Sequence, residues 1–168
     1  MDESPTDAGN GAAADPGLPR YGFRIISQYL KDLSFENINP PAAENEPEET
    51  PHGVVQVDLK ASRYADKSID VIVHLRVEAT IKDDPAYVVE IEYGGRFTFE
   101  DLPPNILEML ALVEAPRLLF PFMRVIIANI TRDGGHPTLI LNPIDFAGIY
   151  RAQRGQQGPP TESMEGRF

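Results

Sequence analysis

The chain has 168 residues, 42% of them hydrophobic, which is enough for one core and too few for two comfortable domains. Its 26 acidic residues against 15 basic ones give a net charge of −11, which argues against nucleic acid or an anionic membrane surface as the main partner and favours a basic one. The absence of cysteine excludes disulfide frameworks, thiolate metal sites and cysteine nucleophiles.

In chain order, residues 1–19 are small, acidic and rich in Pro and Gly, the composition of a disordered tail. They have neither the positive n-region nor the apolar h-region of a signal peptide. The apolar runs further on are too short to span a bilayer, so a cytoplasmic protein without direct membrane insertion is expected. Residues 20–154 read as one folded domain, and 155–168 as a second disordered tail. Eight of the acids fall in the first tail (Asp2, Glu3, Asp7, Asp15) or in one loop (Glu44, Glu46, Glu48, Glu49), so acidic surfaces on the body must be local.

The domain opens with strand periodicity over 22–37, where Phe23, Ile25, Tyr29, Leu33 and Phe35 share one parity, interrupted by Ser27 and Lys31. The opposite parity carries Asp32, Ser34 and Glu36. Residues 40–53, with four prolines and four glutamates, form an exposed crossover loop. A second strand sets Val55, Val57, Leu59 and Ala61 against Gln56, Asp58, Lys60 and Ser62. A third places Ile69, Val71, Val73, Leu75, Val77, Ala79 and Ile81 on a single face. A turn at Asp83, Asp84 and Pro85 leads back into a fourth strand, where Tyr87, Val89, Ile91 and Tyr93 alternate with Val88, Glu90 and Glu92. Helices follow: a short one from Pro104, a longer one that Pro121 suggests begins near 119–121 and Gly134–Gly135 ends, and a last one after Pro143. Four strands and then helices make an α+β fold, a four-stranded antiparallel sheet followed by packed helices.

The long helix is apolar nearly all round, with Phe122, Met123, Ile126, Ile127 and Ile130 interrupted only by a thin stripe of Arg124 and Arg132. One such sheet cannot cover it on every side, which points to a second copy of the chain. Chemistry is sparse by comparison. His52, His74 and His136 have no metal-ligand spacing, no phosphate loop is present, and Gly94–Gly95 and Gly134–Gly135 are accounted for by turns and helix ends. Glu90 and Glu92 have the residue types of a glycosidase pair, but a solvated strand face explains them more simply. No catalytic residue, metal or cofactor is expected. The aromatic and aliphatic stripe of Tyr87, Val89, Ile91 and Tyr93 is mostly core by this reading, with part of it available to line a peptide-binding groove.

Taken together and in this order, "YLKDLSFEN", "VEIEYGGRFTF", "LLFPFMRVIIANITRDGG" and "PTLILNPIDFAGIYR" resemble the SecB family of protein-export chaperones over about residues 23–151. The resemblance implies a homotetramer, a dimer of dimers with helices sandwiched between sheets. It also implies an ATP-independent, non-enzymatic holdase that binds unfolded precursor proteins and delivers them to the SecA motor. Asp32, Glu36, Val88 and Glu90 match the family's SecA-docking positions, with Glu92 on the same face. Phe35, Tyr87, Val89, Ile91 and Tyr93 match its client-binding or groove positions, and the long helix its oligomer interface. The crossover loop departs from the pattern, being acidic and free of aromatic residues. Two rival readings differ in class: a SecB-like chaperone dedicated to another client such as an antitoxin, and a small α+β enzyme using the acidic face or His136.

Overall fold

The computed structural model describes residues 23–41, 51–99, 102–155 and 162–167. Four long strands, β1 (Phe23–Asn37), β2 (His52–Arg63), β3 (Ile69–Ile81) and β4 (Asp84–Phe99), are followed by helices, confirming the α+β order. The sheet is antiparallel at every pairing, with spatial order β1-β4-β3-β2-β5, so the chain must cross over between β1 and β2. The fifth strand, β5 (Glu162–Arg167), lies along the outer edge of β2. It falls in the stretch expected to be a tail. That stretch lacks apolar periodicity, but a strand at a sheet edge needs only backbone donors and acceptors to pair.

β3 lies between β4 and β2 and follows its period-2 pattern closely: Val71, Val73, Leu75 and Val77 are fully buried on one face. The hairpin to β4 turns on Lys82 and Asp83, both with positive φ (52° and 68°), the backbone that a two-residue type I′ turn requires. Asp84 pairs with Ile81, so it already belongs to β4 and the turn lies slightly earlier than expected.

β1 departs from simple alternation. Its register against β4 shifts between Ile25 and Ser27 and again between Leu30 and Asp32. Each bulge inserts one residue and reverses the parity. Tyr29 therefore faces away from Leu33 and Phe35, and Leu30 takes the position opposite Tyr93. Close approach explains the neighbouring glycines. A Cβ on Gly94 would meet Ile72 and Tyr29 at 2.7 and 2.8 Å, and one on Gly95 would meet Leu119 at 2.9 Å.

The helical part differs at its start. α1 (Pro104–Met109) passes through one π-helical turn, Leu110–Glu114, directly into α2 (Ala115–Asp133). The Ala115 amide donates to the Leu110 carbonyl across this wide turn, and Pro116, next in line, has no N–H to place. Pro121 consequently sits inside α2 and does not begin it. Its missing hydrogen bond is outweighed by burial of Leu119, Phe120 and Met123. α2 stops at Gly134 and Gly135, the latter at φ +84°, with the Gly134 amide donating to the Ile130 carbonyl at 2.9 Å and the His136 amide to the Thr131 carbonyl at 3.1 Å. α3 (Phe146–Gly155) starts where Asp145 Oδ1 accepts from the Gly148 amide at 2.9 Å, and its Phe146 packs edge-on against Phe120.

α2 covers one face of the sheet with Ala115, Leu119, Met123, Ile127 and Thr131, spaced four apart. Its other face carries Leu118, Phe122 and Val125, which are 39%, 47% and 60% exposed. The helix is thus half-covered by its own chain and apolar on the uncovered side. Among the described residues no helix is long and apolar enough to cross a membrane, and no group of three His, Cys, Asp or Glu could hold a metal ion.

Candidate partner-binding surfaces

The sheet has one face under α2 and one with no helix on it among the described residues, and the register sorts the candidate residues between them. On the open face, cross-strand rows run β1-β4-β3-β2: Asp32, Glu92, His74, Asp58; then Ser34, Glu90, Arg76, Gln56; then Glu36, Val88, Glu78, Val54. All five residues matched to motor docking, Asp32, Glu36, Val88, Glu90 and Glu92, therefore share one surface. Asp58 and Glu78 join them and escaped sequence reasoning. Their parity was visible on β2 and β3, but the register that aligns them with β4 was not.

These acids are not equivalent. Asp32 stands directly opposite Glu92, an unfavourable pairing of like charges. The bulge at Lys31 relieves it, placing the Lys31 ammonium 2.6 Å from Glu92, with Lys60 at 3.5 Å on the other oxygen. The Lys31 hydrogen bond, more than any other influence, holds the Glu92 carboxyl below the usual range. Glu90 accepts a 2.6 Å hydrogen bond from Arg76, which also reaches Glu78 at 2.8 Å. Asp32 and Glu36 are exposed, and among the described residues neither has a hydrogen bond or ion pair. The acids of this face that are free of hydrogen bonds and ion pairs, Asp32 and Glu36, therefore both lie on β1, Asp32 beside the Lys31 ammonium. Val88 is half-buried between Glu36 and Glu78 and gives that margin an apolar centre.

Towards the far end of the open face, Asp70 ties four elements together. Arg96 clamps it through two bonds of 2.7 and 3.1 Å, Tyr64 donates at 3.1 Å and Tyr29 at 3.5 Å. The Arg96 guanidinium also lies 4.4 Å from the centre of the Tyr64 ring. Chiefly because of the Arg96 bond, the Asp70 carboxyl is held below its ordinary range despite burial.

On the helix side, the stripe expected to line a groove is mostly used up within the chain. Tyr87, Val89 and Ile91 are at most 1% exposed and Tyr93 is 9% exposed. Tyr87, Val89 and Ile91 therefore support the core and offer no surface, because the helical layer closes over them. Phe35 is half-buried against Tyr87. Two of the interface candidates are likewise covered within the chain. Met123 and Ile127 are fully buried in their own chain, whereas Phe122 is exposed and Ile126 and Ile130 are half-buried.

An apolar strip does remain open. Leu30 of β1 pairs with Tyr93, whose ring stacks on Phe122 with centroids 6.0 Å apart and an interplanar angle of 4°. Leu30 of β1 and Phe122 of α2, both exposed, therefore meet across Tyr93, and Ile25 and Ile26 of β1 and Leu118 and Val125 of α2 are exposed as well. The bulge that puts Leu30 opposite Tyr93 carries no signal in the sequence.

His136 has no catalytic setting. It is 4% exposed, its Nε2 is 2.8 Å from Asn37 Oδ1, and Asn37 Nδ2 donates to the Gly134 carbonyl at 2.9 Å. Its ring lies against Tyr87 at 4.7 Å. Burial lowers the imidazole pKa and pushes the Tyr87 phenol up to about 12, and both Nδ1 and the phenol oxygen lack partners among the described residues. This cluster joins the end of α2 to the end of β1.

Comparison with known proteins agrees with this architecture. A family described as preprotein translocase subunit SecB matches residues 18–157. The protein-export protein SecB of Parvibaculum lavamentivorans is 42% identical over 153 residues, 91% of this chain and 89% of that one. The SecB of Afipia carboxidovorans is 38% identical over 90% of this chain and 92% of its own. Among solved structures, a Mycobacterium tuberculosis SecB-like chaperone in complex with a ChAD peptide from an antitoxin shares the fold, with TM-score 0.62 at 13% identity over 73% of this chain and 90% of that one. By sequence, and with a fold in keeping, the chain belongs to the SecB family of protein-export chaperones.

Proposed function

We propose that the protein is an ATP-independent cytoplasmic holdase: it captures unfolded precursor proteins on apolar surface and hands them to the SecA motor through its acidic sheet face. The observation that carries this reading is the placement of the acids Asp32, Glu36 and Glu90 and of the exposed apolar residues Ile25 and Leu30 of β1 on opposite faces of one sheet. Unfolded clients expose long apolar segments, which many weak contacts hold together. A motor presenting basic segments is attracted by Asp32 and Glu36, which are exposed and held in no ion pair among the described residues, with Val88 as the apolar contact between neighbouring acids. Glu90 must exchange Arg76 for the partner, and Glu92, held by two lysines, contributes least.

The assembly in this reading is a homotetramer, a dimer of dimers, in which the uncovered face of α2 with Phe122, Ile126 and Ile130 packs against other copies. Leu118 and Val125 belong to the same surface. Relatives of this chain at 36–42% identity that are named protein-export proteins favour export over a dedicated antitoxin client. The reading is tested by following the refolding of a slowly folding precursor: a stoichiometric amount of the protein should retard it without ATP. Equal binding of the native and denatured forms of that precursor would refute it.

A further inference from the structure

We infer that the outer edge of β2 is a strand-addition site for an extended segment of the unfolded client, and that β5, the chain's own C-terminal strand, is its displaceable resident. This rests on the holdase reading and specifies how backbone, as well as apolar side chains, would be recognised.

β5 pairs with His52–Val57 alone, in the register Gly53 with Gly166, Val55 with Met164 and Val57 with Glu162. Beyond Val57 the second half of β2, Asp58–Arg63, pairs with β3 on its inner side and has no strand on its outer side among the described residues. An edge with open N–H and C=O groups invites another chain to pair with it, and β5 blunts this edge. Its hold is weak by composition. Glu162, Ser163, Met164, Glu165, Gly166 and Arg167 include no β-branched or aromatic residue, and the strand has one neighbour among the described residues.

The sheet itself indicates what would displace it. Two apolar rows cross the helix-covered face and stop at β2: Leu33, Ile91, Leu75, Val57 and Phe35, Val89, Val77, Val55. The next positions in those rows are held by Glu162 and Met164, and Gly166 holds the position opposite Gly53. Of these three register positions, one falls on an apolar residue of β5. A client segment with alternating apolar residues would supply three, prolonging both rows while making the same backbone hydrogen bonds. Backbone pairing is indifferent to sequence, and alternation is common in polypeptides that have failed to fold, which suits a chaperone serving many clients.

The test uses the full-length protein and a permanently unfolded protein, reduced and alkylated lysozyme. In Met164→Pro/Glu165→Pro, one of two consecutive amides must face β2 and is removed, so the resident is loosened and binding should tighten several-fold. In Glu162→Val/Gly166→Val the resident competes better, and binding should weaken several-fold. Amide exchange on the unaltered chain provides a reading that needs no variant: on client binding, 162–167 should lose protection while 52–57 keep theirs. If both variants bind like the unaltered chain, or if 162–167 stay protected in the complex, the proposal is overturned and the holdase reading stands. No binding by the unaltered chain overturns both.

Discussion

Replacing Asp70 by Asn separates the charge of the carboxylate from its shape at the point where β1, β3, β4 and the turn after β2 are pinned together. Asp70 is 7% exposed, accepts two bonds from Arg96 at 2.7 and 3.1 Å and one from Tyr64 at 3.1 Å, while the Tyr29 contact, at 3.5 Å, is weak. Each charge-assisted bond contributes about 1.5–3 kcal/mol, and an amide retains part of it by still accepting from Arg96. The Arg96 side chain is 37% exposed, so water takes up the freed donors. The cost therefore falls short of the ~3–5 kcal/mol paid when an ion is stranded in a dry interior. A loss of about 2 kcal/mol follows, equivalent to roughly 4–8 °C in Tm for a chain of this size. The assay is thermal unfolding of both proteins at one fixed concentration, because assembly shifts apparent stability. The pH dependence has a definite sign. The folded-state pKa is depressed, chiefly by the Arg96 bond, so the stabilisation is present above the unfolded value of about 4 and disappears as the pH falls through the folded one. The gap between the two proteins should be full at neutral pH and close in acid. A Tm unchanged at pH 7, or a gap that widens in acid, would show that the clamp does not act as described.

The other perturbations address the remaining parts of the account. Burial lowers the His136 pKa below its unfolded value of about 6.5, so the unfolded chain binds the extra proton first. Stability should hold above that pH and fall as the pH drops beneath it, and denaturant titrations at pH 8 and pH 5.5 should show a smaller difference for His136→Gln than for the unaltered chain. Val125→Asp places a charge on a residue that is 60% exposed in the single chain, so the fold should survive while the tetramer splits, as sedimentation would reveal. An intact tetramer would move the interface off this face of α2.

The inward pattern of β3 and β4 is legible from alternation alone, since a strand covered on one face must repeat with period two. β1 is harder. Its bulges at Ile26 and Lys31 arise from how it pairs with β4, and no local pattern in 22–37 marks them, so Tyr29 is assigned to the wrong face until the register is known. The start of α2 fails for a related reason. Pro121 is a strong local stop signal, but burial of its neighbours overrides it, and the π-helical turn at Leu110–Glu114 has no sequence mark. At the candidate sites, chemical type was readable and exposure was not. Glu90 and Glu92 are acidic as expected, yet both are held by cations, and the groove candidates Val89 and Ile91 lie beneath the helical layer.

The division of labour between the two faces of the sheet is tested most directly by calorimetric titration of Asp32→Ala/Glu90→Ala with SecA and, separately, with an unfolded precursor. Both positions lie on the open face, so the tetramer should persist, with stability altered by about half a kcal/mol at Asp32 and somewhat more at Glu90, where Arg76 loses a partner. SecA affinity should fall, and its salt dependence should weaken with it, because the attraction between accessible charges is screened. Capture of the unfolded precursor should be unchanged. Unaltered SecA affinity, or loss of precursor binding by an intact tetramer, would contradict the assignment of the acidic face to the motor.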